Sequence, residues 1–256
     1  MKHLNDYVLA FDLDGTALRS DGTMSQETLN VINKLKTVLI VSGRHFCEMQ
    51  ALLCKITVKD IIVVSCDGCY SHDRDGNVLL SSDLMRVKDF RIIKKLVRIK
   101  EAIIVTKSKD IFVANTFVSK IKSSLRMCKR FIICPNKRII EKIRLCISDN
   151  LLDTYTILKN YYSVHLVSGK FLDIAAKHVN KYTMIHRVCS LKNINEDDII
   201  YFGDDFNDLE CFDNLKHSVA MGNAVPQIKA KAEYVTKSND ESGIVHALNC
   251  FYGLKI

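Results

Sequence analysis

No uninterrupted apolar stretch of this 256-residue chain approaches the roughly 18–20 residues that a membrane span requires, so a transmembrane role is excluded as an expectation. The start, "MKHLNDYVLAFDLD", has a short apolar part that runs straight into acids and does not read as a secretory signal. A cytoplasmic protein is therefore expected, with its ten cysteines as reduced thiols. A second CxxC pair is also missing. "CDGC" at 66–69 stands alone, without zinc spacing, and reads as two thiols near a turn. Tryptophan is absent, and so is any glycine–aromatic platform of the kind that stacks bases. A nucleic-acid-binding module built on the basic middle of the chain is thus the weaker of two functional classes.

What is present is a chain that is 48% hydrophobic, enough for a sizeable core and not a disordered composition. The formal charge of +8 is unevenly spread. Residues 86–144 hold 18 Lys/Arg against 4 Asp/Glu, while the rest of the chain is net acidic. Two regions under different demands are implied. The basic one attracts anions, phosphorylated metabolites as well as nucleic acid.

Apolar runs alternate with helical patterns at both ends of the sequence. "YVLAFDLD", "TVLIVSGR" and "DIIVVS" are continuous enough for strands covered on both faces. Between them, "SQETLNVINKLK" carries Leu29, Ile32 and Leu35 at helical spacing after Ser25 as N-cap. "HFCEMQALLCKI" places Phe46, Met49, Leu52, Leu53 and Ile56 on one helical face. The Asp-Gly at 75–76 marks a hairpin. Past residue 84 the order breaks into an α+β pattern, with helices expected over "DLMRVKDFRIIKKLV" and "FVSKIKSSLRMCKRF" and two strands joined by "KSKD". The first pattern returns with "HVNKYTMIHRVCSL", "DDIIYFGDD" and "HSVAM". The expected fold is α/β: a Rossmann-like, mostly parallel sheet with helices on both faces, built from residues 1–81 and 181–256, with an α+β domain inserted at 82–180.

Ligands of such sheets sit at the carboxyl ends of the strands. Three strand ends here are acidic or polar: Asp12 with Asp14, Ser42, and Asp204 with Asp205. If the first strand stays extended, Asp12 and Asp14 point to the same side, and Gly15 permits a sharp departure. Carboxylates that close repel unless protonated or bridged by a cation. A hard divalent ion such as Mg²⁺, with a substrate phosphate filling part of its shell, resolves the repulsion. Lys181 and Arg44 are available to neutralise the remaining phosphate charge. Each residue also has a plainer reading. Ser42 caps a helix starting at Arg44, Lys181 is a solvated helix lysine, and single aspartates cap helices or sit in water.

Four motifs then appear in order: "DLDGT" at 12–16, "SGR" at 42–44, Lys181 within "KHVNK", and "GDDFND" at 203–208. With these the chain resembles the haloacid dehalogenase-like hydrolases, and among them the Cof-type phosphatases with a large inserted cap. The resemblance implies that Asp12 is a nucleophile that becomes an aspartyl phosphate. It makes Asp14 the acid and then the base. Mg²⁺ would be held by the Asp12 side chain, the Asp14 carbonyl and Asp204. Ser42, Gly43, Lys181 and Asn207 would hold the phosphoryl group. Asn207 and Asp208 would also orient metal waters and the lysine, and Thr16 and Arg44 would support the site. Asp205 would line the entrance, and neither His45 nor His178 is needed for the chemistry.

The sequence departs from the family pattern at Ala17, at Tyr182 and at Asp67, which stands where an Asn-Gly pair is usual. None of these removes a chemical role; Asp67 adds a charge near the site or hinge. The basic charge of the candidate cap is expected to draw in a small phosphorylated substrate; no membrane partner is expected, and the size fits a monomer or homodimer. A phosphohexomutase-like phosphotransferase is the enzymatic alternative.

Overall fold

The apolar run at the start of the chain becomes the first strand, β1 (Val8–Phe11), and every residue after Val8 in it is buried. Ser25 then caps α1 (Gln26–Ile32), its Oγ accepting from the Thr28 amide at 3.1 Å. Helix α1 is shorter than its apolar spacing predicts: Leu35 is buried, but in the turn that follows. Strand β2 (Thr37–Val41) leads to α2 (Phe46–Leu53). That helix begins at Phe46 with His45 as N-cap, the His45 amide donating to Glu48 Oε2 at 2.7 Å. It therefore does not start at Arg44 under a Ser42 cap. Strand β3 (Asp60–Ser65) ends in a tight turn, and the expected hairpin follows as antiparallel β4 (Tyr70–His72) and β5 (Val78–Ser81).

This is a computed structural model, and it describes residues 3–97, 99, 101–105, 111–114, 139–146, 151–167 and 171–254. It divides into two units, Met1–Ser82 with Asn180–Ile256, and Asp83–Val179. The second unit contains β6 (Met85–Arg86), α3 (Val87–Leu96), β7 (Glu101–Val105), β8 (Ile111–Ala114), β9 (Ile139–Ile140), β10 (Lys142–Cys146), α4 (Leu151–Lys159), β11 (Ser163–Val167) and β12 (Phe171–Ala175). Its five-stranded sheet runs β11-β12-β10-β7-β8, each neighbouring pair antiparallel. Ile93, Ile143, Leu145, Leu158, Leu172 and Ile174 fill its core. Asp173, buried on the other face of the sheet, is held by Arg144 at 2.6 and 2.7 Å and by Lys142 at 3.2 Å. Helix α3 occupies ten residues of the longer helix expected at 83–97. The helix expected over "FVSKIKSSLRMCKRF" and the "KSKD" link lie outside the described residues.

The chain then returns to the first unit with α5 (Lys181–Lys192), β13 (Ile199–Gly203), α6 (Leu209–Asn214), β14 (His217–Ala220), α7 (Pro226–Lys229), β15 (Tyr234–Val235) and α8 (Gly243–Cys250). The eight strands run β15-β14-β13-β1-β2-β3-β4-β5, parallel from β15 to β3. The order reverses at β1, which pairs with β13 on one side and β2 on the other. Outside the carboxyl end of such a switch point lies the crevice where open α/β sheets bind ligands. Pairing with β13 places Asp12 beside Asp204, although 192 positions separate them in sequence. No described helix is long and apolar enough to cross a membrane.

Leu39, at the centre of β2, is fully buried, whereas Val78 on the outermost strand is 45% exposed. Leu39→Ala is expected to cost about 2–5 kcal/mol and Val78→Ala less than about 1 kcal/mol. Denaturant unfolding monitored by circular dichroism checks the contrast.

Candidate active site

Strand β1 ends at Phe11, and the next residue still extends the ladder: the Asp12 amide donates to the Phe202 carbonyl at 3.0 Å. Beyond it the chain turns. Gly15 takes φ +79°, and a Cβ there would lie 2.3 Å from Asp204 Oδ2, so only glycine passes. The turn separates the paired acids. Asp12 is buried, and its Oδ1 accepts from Lys181 Nζ at 2.6 Å. Asp14 is exposed, and both its oxygens accept from Arg44, Nε at 2.8 Å on Oδ2 and Nη2 on Oδ1. The expectation of two carboxylates facing one side required an extended backbone through residue 14. The strand stops three residues short of it.

Lys181 is the first residue of α5 and is wholly buried. Its ammonium is shared between Asp12 and Asp208, 2.6 Å from each. Burial by itself draws an ammonium down. Here the carboxylates of Asp12, Asp208 and Asp67 outweigh it and hold Lys181 well above its ordinary range. Asp208 is saturated: Oδ1 also accepts from Tyr201 at 2.6 Å, and Oδ2 takes the amides of Asp204 and Asp205 at 2.9 and 3.2 Å. Its carboxylate braces the loop after β13. Gly203 makes room for it, since a Cβ would stand 2.7 Å from the Asp208 carboxyl carbon.

Asp204 Oδ1 accepts from Thr16 Oγ1 at 2.9 Å. Burial, and next the charge of Asp208, push the Asp204 carboxyl up to about 7. Burial likewise raises Asp12 well above the usual carboxylate range, with Asp208 and Asp204 adding to it and Lys181 opposing. Oxygens of Asp12, Asp204 and Asp208 lie within 4.8 Å of one another. Among the described residues, Asp12 Oδ2 and Asp204 Oδ2 accept no hydrogen bond. Two hard carboxylate oxygens are thus left over in a cluster holding one ammonium, a donor set that suits Mg²⁺.

The other expected residues fall nearby. Ser42, buried at the end of β2, accepts from the Arg44 amide at 3.2 Å. Gly43 lies flat against the Asp67 carboxylate. Asn207 donates from Nδ2 to Asp67 Oδ1 at 2.9 Å, so that amide group is turned to a carboxylate. Arg44 is engaged by Asp14 and leaves open no role taken from its position alone.

Three contributors carry no motif. Tyr201 is the one hydroxyl in the fully buried strand "IIYFG", and a buried tyrosine hydroxyl needs a partner; that is the signal it offered. Asn223 donates to the Gly15 carbonyl at 2.7 Å and Asn239 to the Leu18 carbonyl at 2.8 Å, tying the loop after β1 to the end of the chain. Neither asparagine stood out in the sequence, because backbone carbonyls give no residue pattern.

Comparison with known proteins gives the family. Residues 9–248 match the family model of the haloacid dehalogenase-like hydrolases. The chain is 26% identical to the stress response protein YhaX of Bacillus subtilis, over 98% of this chain and 95% of that protein. It is 27% identical to the 5-amino-6-(5-phospho-D-ribitylamino)uracil phosphatase YwtE of the same organism, over 94% and 96%. A solved phosphatase of the haloalkanoate superfamily from Bacteroides thetaiotaomicron superposes with a TM-score of 0.81 at 21% identity, covering 96% of this chain and 95% of that one.

Removing the shared ammonium leaves two buried carboxylates facing each other. Lys181→Met is expected to destabilise the protein by about 3–5 kcal/mol near pH 7.5. Without the lysine, the folded protein takes up protons at pH values where the unfolded chain does not, so the deficit shrinks as pH falls toward 5. Unfolding midpoints of wild type and variant at the two pH values test this.

Proposed function

The chain belongs to the haloacid dehalogenase-like hydrolases, in their Cof-type phosphatase branch, and on that premise we propose that it hydrolyses a small phosphorylated metabolite through an aspartyl phosphate on Asp12, with Mg²⁺ as its cofactor. The observation that carries the reading is the buried Asp12 carboxylate, held by Lys181 on one oxygen and unengaged on the other, at the switch point of the sheet.

In the first half-reaction an Asp12 oxygen bonds to phosphorus, and the bond from phosphorus to the ester oxygen breaks. Asp14 delivers its proton to the departing oxygen. In the second half, Asp14 takes a proton from water as that water attacks phosphorus, releasing inorganic phosphate and restoring Asp12. The resting pair with Arg44 occupies both Asp14 oxygens, so Arg44 gives up at least one of them for either transfer. Ser42, Gly43 and Lys181 hold the phosphoryl oxygens, and Lys181 exchanges part of its contact with Asp12 for the substrate. Asn207, turned to Asp67, serves the pocket by fixing its wall.

Asp12, Asp204 and the Asp14 carbonyl would hold the metal, braced by Thr16 on Asp204 and by Asp208 under Lys181. When bound, Mg²⁺ supplies charge neutralisation for the phosphoryl group. The protein's part is to keep the oxygens close, in surroundings that favour a proton or a cation on them. The cap role of Asp83–Val179 is part of the same proposal.

Phosphate release from p-nitrophenyl phosphate tests the reading. Release is expected with Mg²⁺ and lost on chelation, and Asp14→Asn is expected to slow it by about 10²–10⁴-fold while metal binding persists. Turnover unchanged by Asp14→Asn would remove it as acid and base. The metal assignment has its own test. Below about 7, Asp204 carries a proton that an incoming cation displaces. The Mg²⁺ dissociation constant measured by calorimetry should therefore fall about tenfold as pH rises from 5.5 to 6.5, and level off above about 8. A dissociation constant that is flat across that window would count against Asp204 as a ligand.

A further inference from the structure

The turn that follows β3 is built from three successive residues in the left-handed region: Cys66 at φ 51°, Asp67 at φ 54° and Gly68 at φ 99°. Glycine occupies this region freely and aspartate tolerates it, but a cysteine there is strained by about 1–3 kcal/mol. Strain of this kind persists only where the surroundings enforce it, and here the enforcing contacts fall into two groups.

One group faces the candidate active site. The Cys66 amide donates to the Arg44 carbonyl at 2.9 Å and the Asp67 amide to the Ser42 carbonyl at 3.1 Å. The Asp67 carboxylate lies against Gly43 and accepts from Asn207 Nδ2 at 2.9 Å. An ionised carboxylate only accepts, so it sets the Asn207 amide one way round, NH₂ inward. The other group faces the points where the chain leaves and re-enters this unit, Ser82 and Asn180. Ser82 donates from its amide to the Cys69 carbonyl and from its hydroxyl to the Gly68 carbonyl, both at 2.8 Å. Arg187 on α5 donates to Ser82 Oγ at 3.3 Å and to the Ser81 carbonyl at 3.0 Å. Gly68 abuts Asn180: a Cβ would sit 2.1 Å from the Asn180 carbonyl oxygen. Asn180 in turn caps the helix that starts with Lys181, accepting from the Thr183 amide at 2.8 Å.

We propose that Asp67 is a positioning residue that, through the strained turn 66–69, couples an oxyanion held at Ser42 and Gly43 to both crossings, Ser82 and Asn180. The proposal rests on the phosphatase reading for the presence of that oxyanion. The coupling has a direct physical route. An oxyanion held on the Ser42–Gly43 loop fixes Gly43, against which the Asp67 carboxylate lies between it and Asn207, and with Gly43 the two carbonyls, Ser42 and Arg44, that the turn hangs from. Each of the four residues of the turn is engaged through its backbone, Cys66 and Asp67 by the site and Gly68 and Cys69 by Ser82. A site that orders its phosphate loop therefore orders Ser82 and the start of α5 with it.

Amide hydrogen exchange of the full chain, read on peptides containing Ser42–Gly43, Ser82 and Asn180–Thr183, tests this with Mg²⁺ and inorganic phosphate as the probe. In the wild type, phosphate is expected to slow exchange at least threefold in all three. Asp67→Ala should keep the slowing at Ser42–Gly43 and lose it at Ser82 and Asn180–Thr183. Asp67→Asn, which still presents an oxygen to Asn207, should recover part of it. If Asp67→Ala fails to fold, Ser82→Ala carries the test: it removes one of the two bonds from Ser82 to the turn, and slowing should shrink at Ser82 while persisting in full at Ser42–Gly43. Full slowing at both crossings in Asp67→Ala or at Ser82 in Ser82→Ala overturns the coupling, as does wild-type slowing confined to Ser42–Gly43. No slowing at Ser42–Gly43 overturns the oxyanion site itself, which is the failure of the phosphatase reading rather than of the turn.

Discussion

One buried ammonium organises the site. Lys181 sits with no exposed surface between Asp12 and Asp208, and an ion so placed is tolerated only while its partners stay with it. That requirement holds the first strand and the loop after β13 together, because one carboxylate belongs to each. It also sets the limits of the charge balance. Asp12, Asp67, Asp204 and Asp208 converge on the region, while the nearby guanidinium of Arg44 is committed to Asp14. The lysine cannot neutralise them all. Burial first, and then the excess charge, drive carboxyl groups upward, Asp204 to about 7, and a divalent cation is the group that would relieve it on the proposed reading.

The sheet makes this clustering possible. A parallel order that reverses at β1 places the ends of β1, β13 and β2 side by side, and each delivers one part of the site. Asp12 comes from the first, Asp204 and Asp208 from the second, Ser42 from the third. The parts are then fixed from behind by groups that do no chemistry. Tyr201 and two backbone amides saturate Asp208, Thr16 fixes Asp204, and Asn223 holds the Gly15 carbonyl. Such support is what keeps side chains in place on loops.

Much of this was legible in the sequence, and the reasons differ from part to part. The parallel sheet was readable because strands buried on both faces are continuously apolar, as "IIVV" and "VLIV" are. Asp12, Ser42, Lys181 and Asp204 were readable because strand-end acids and motif spacing point to them. What pattern could not supply was the pairing. An alternation argument put Asp12 and Asp14 on one side, yet the strand stops at Phe11 and Gly15 turns the chain, so they meet different partners. Arg44 was free in the sequence to face a substrate; the fold brings Asp14 within its reach instead. Asn207 belonged with the phosphate by motif, but Asp67, 140 positions away, takes its amide. These are long-range contacts, which a local pattern does not encode.

In the proposed reaction Asp12 is the group that bonds to phosphorus. Its most direct measurement is rapid acid quench of the enzyme with p-nitrophenyl phosphate and Mg²⁺, followed by borohydride reduction and peptide mass analysis. An acyl phosphate is reduced at the carboxyl carbon, so Asp12 should appear as homoserine, and Asp12→Asn should show no modified peptide. An unmodified Asp12 in enzyme that is turning over, or a phosphoryl group trapped on another residue, would contradict it.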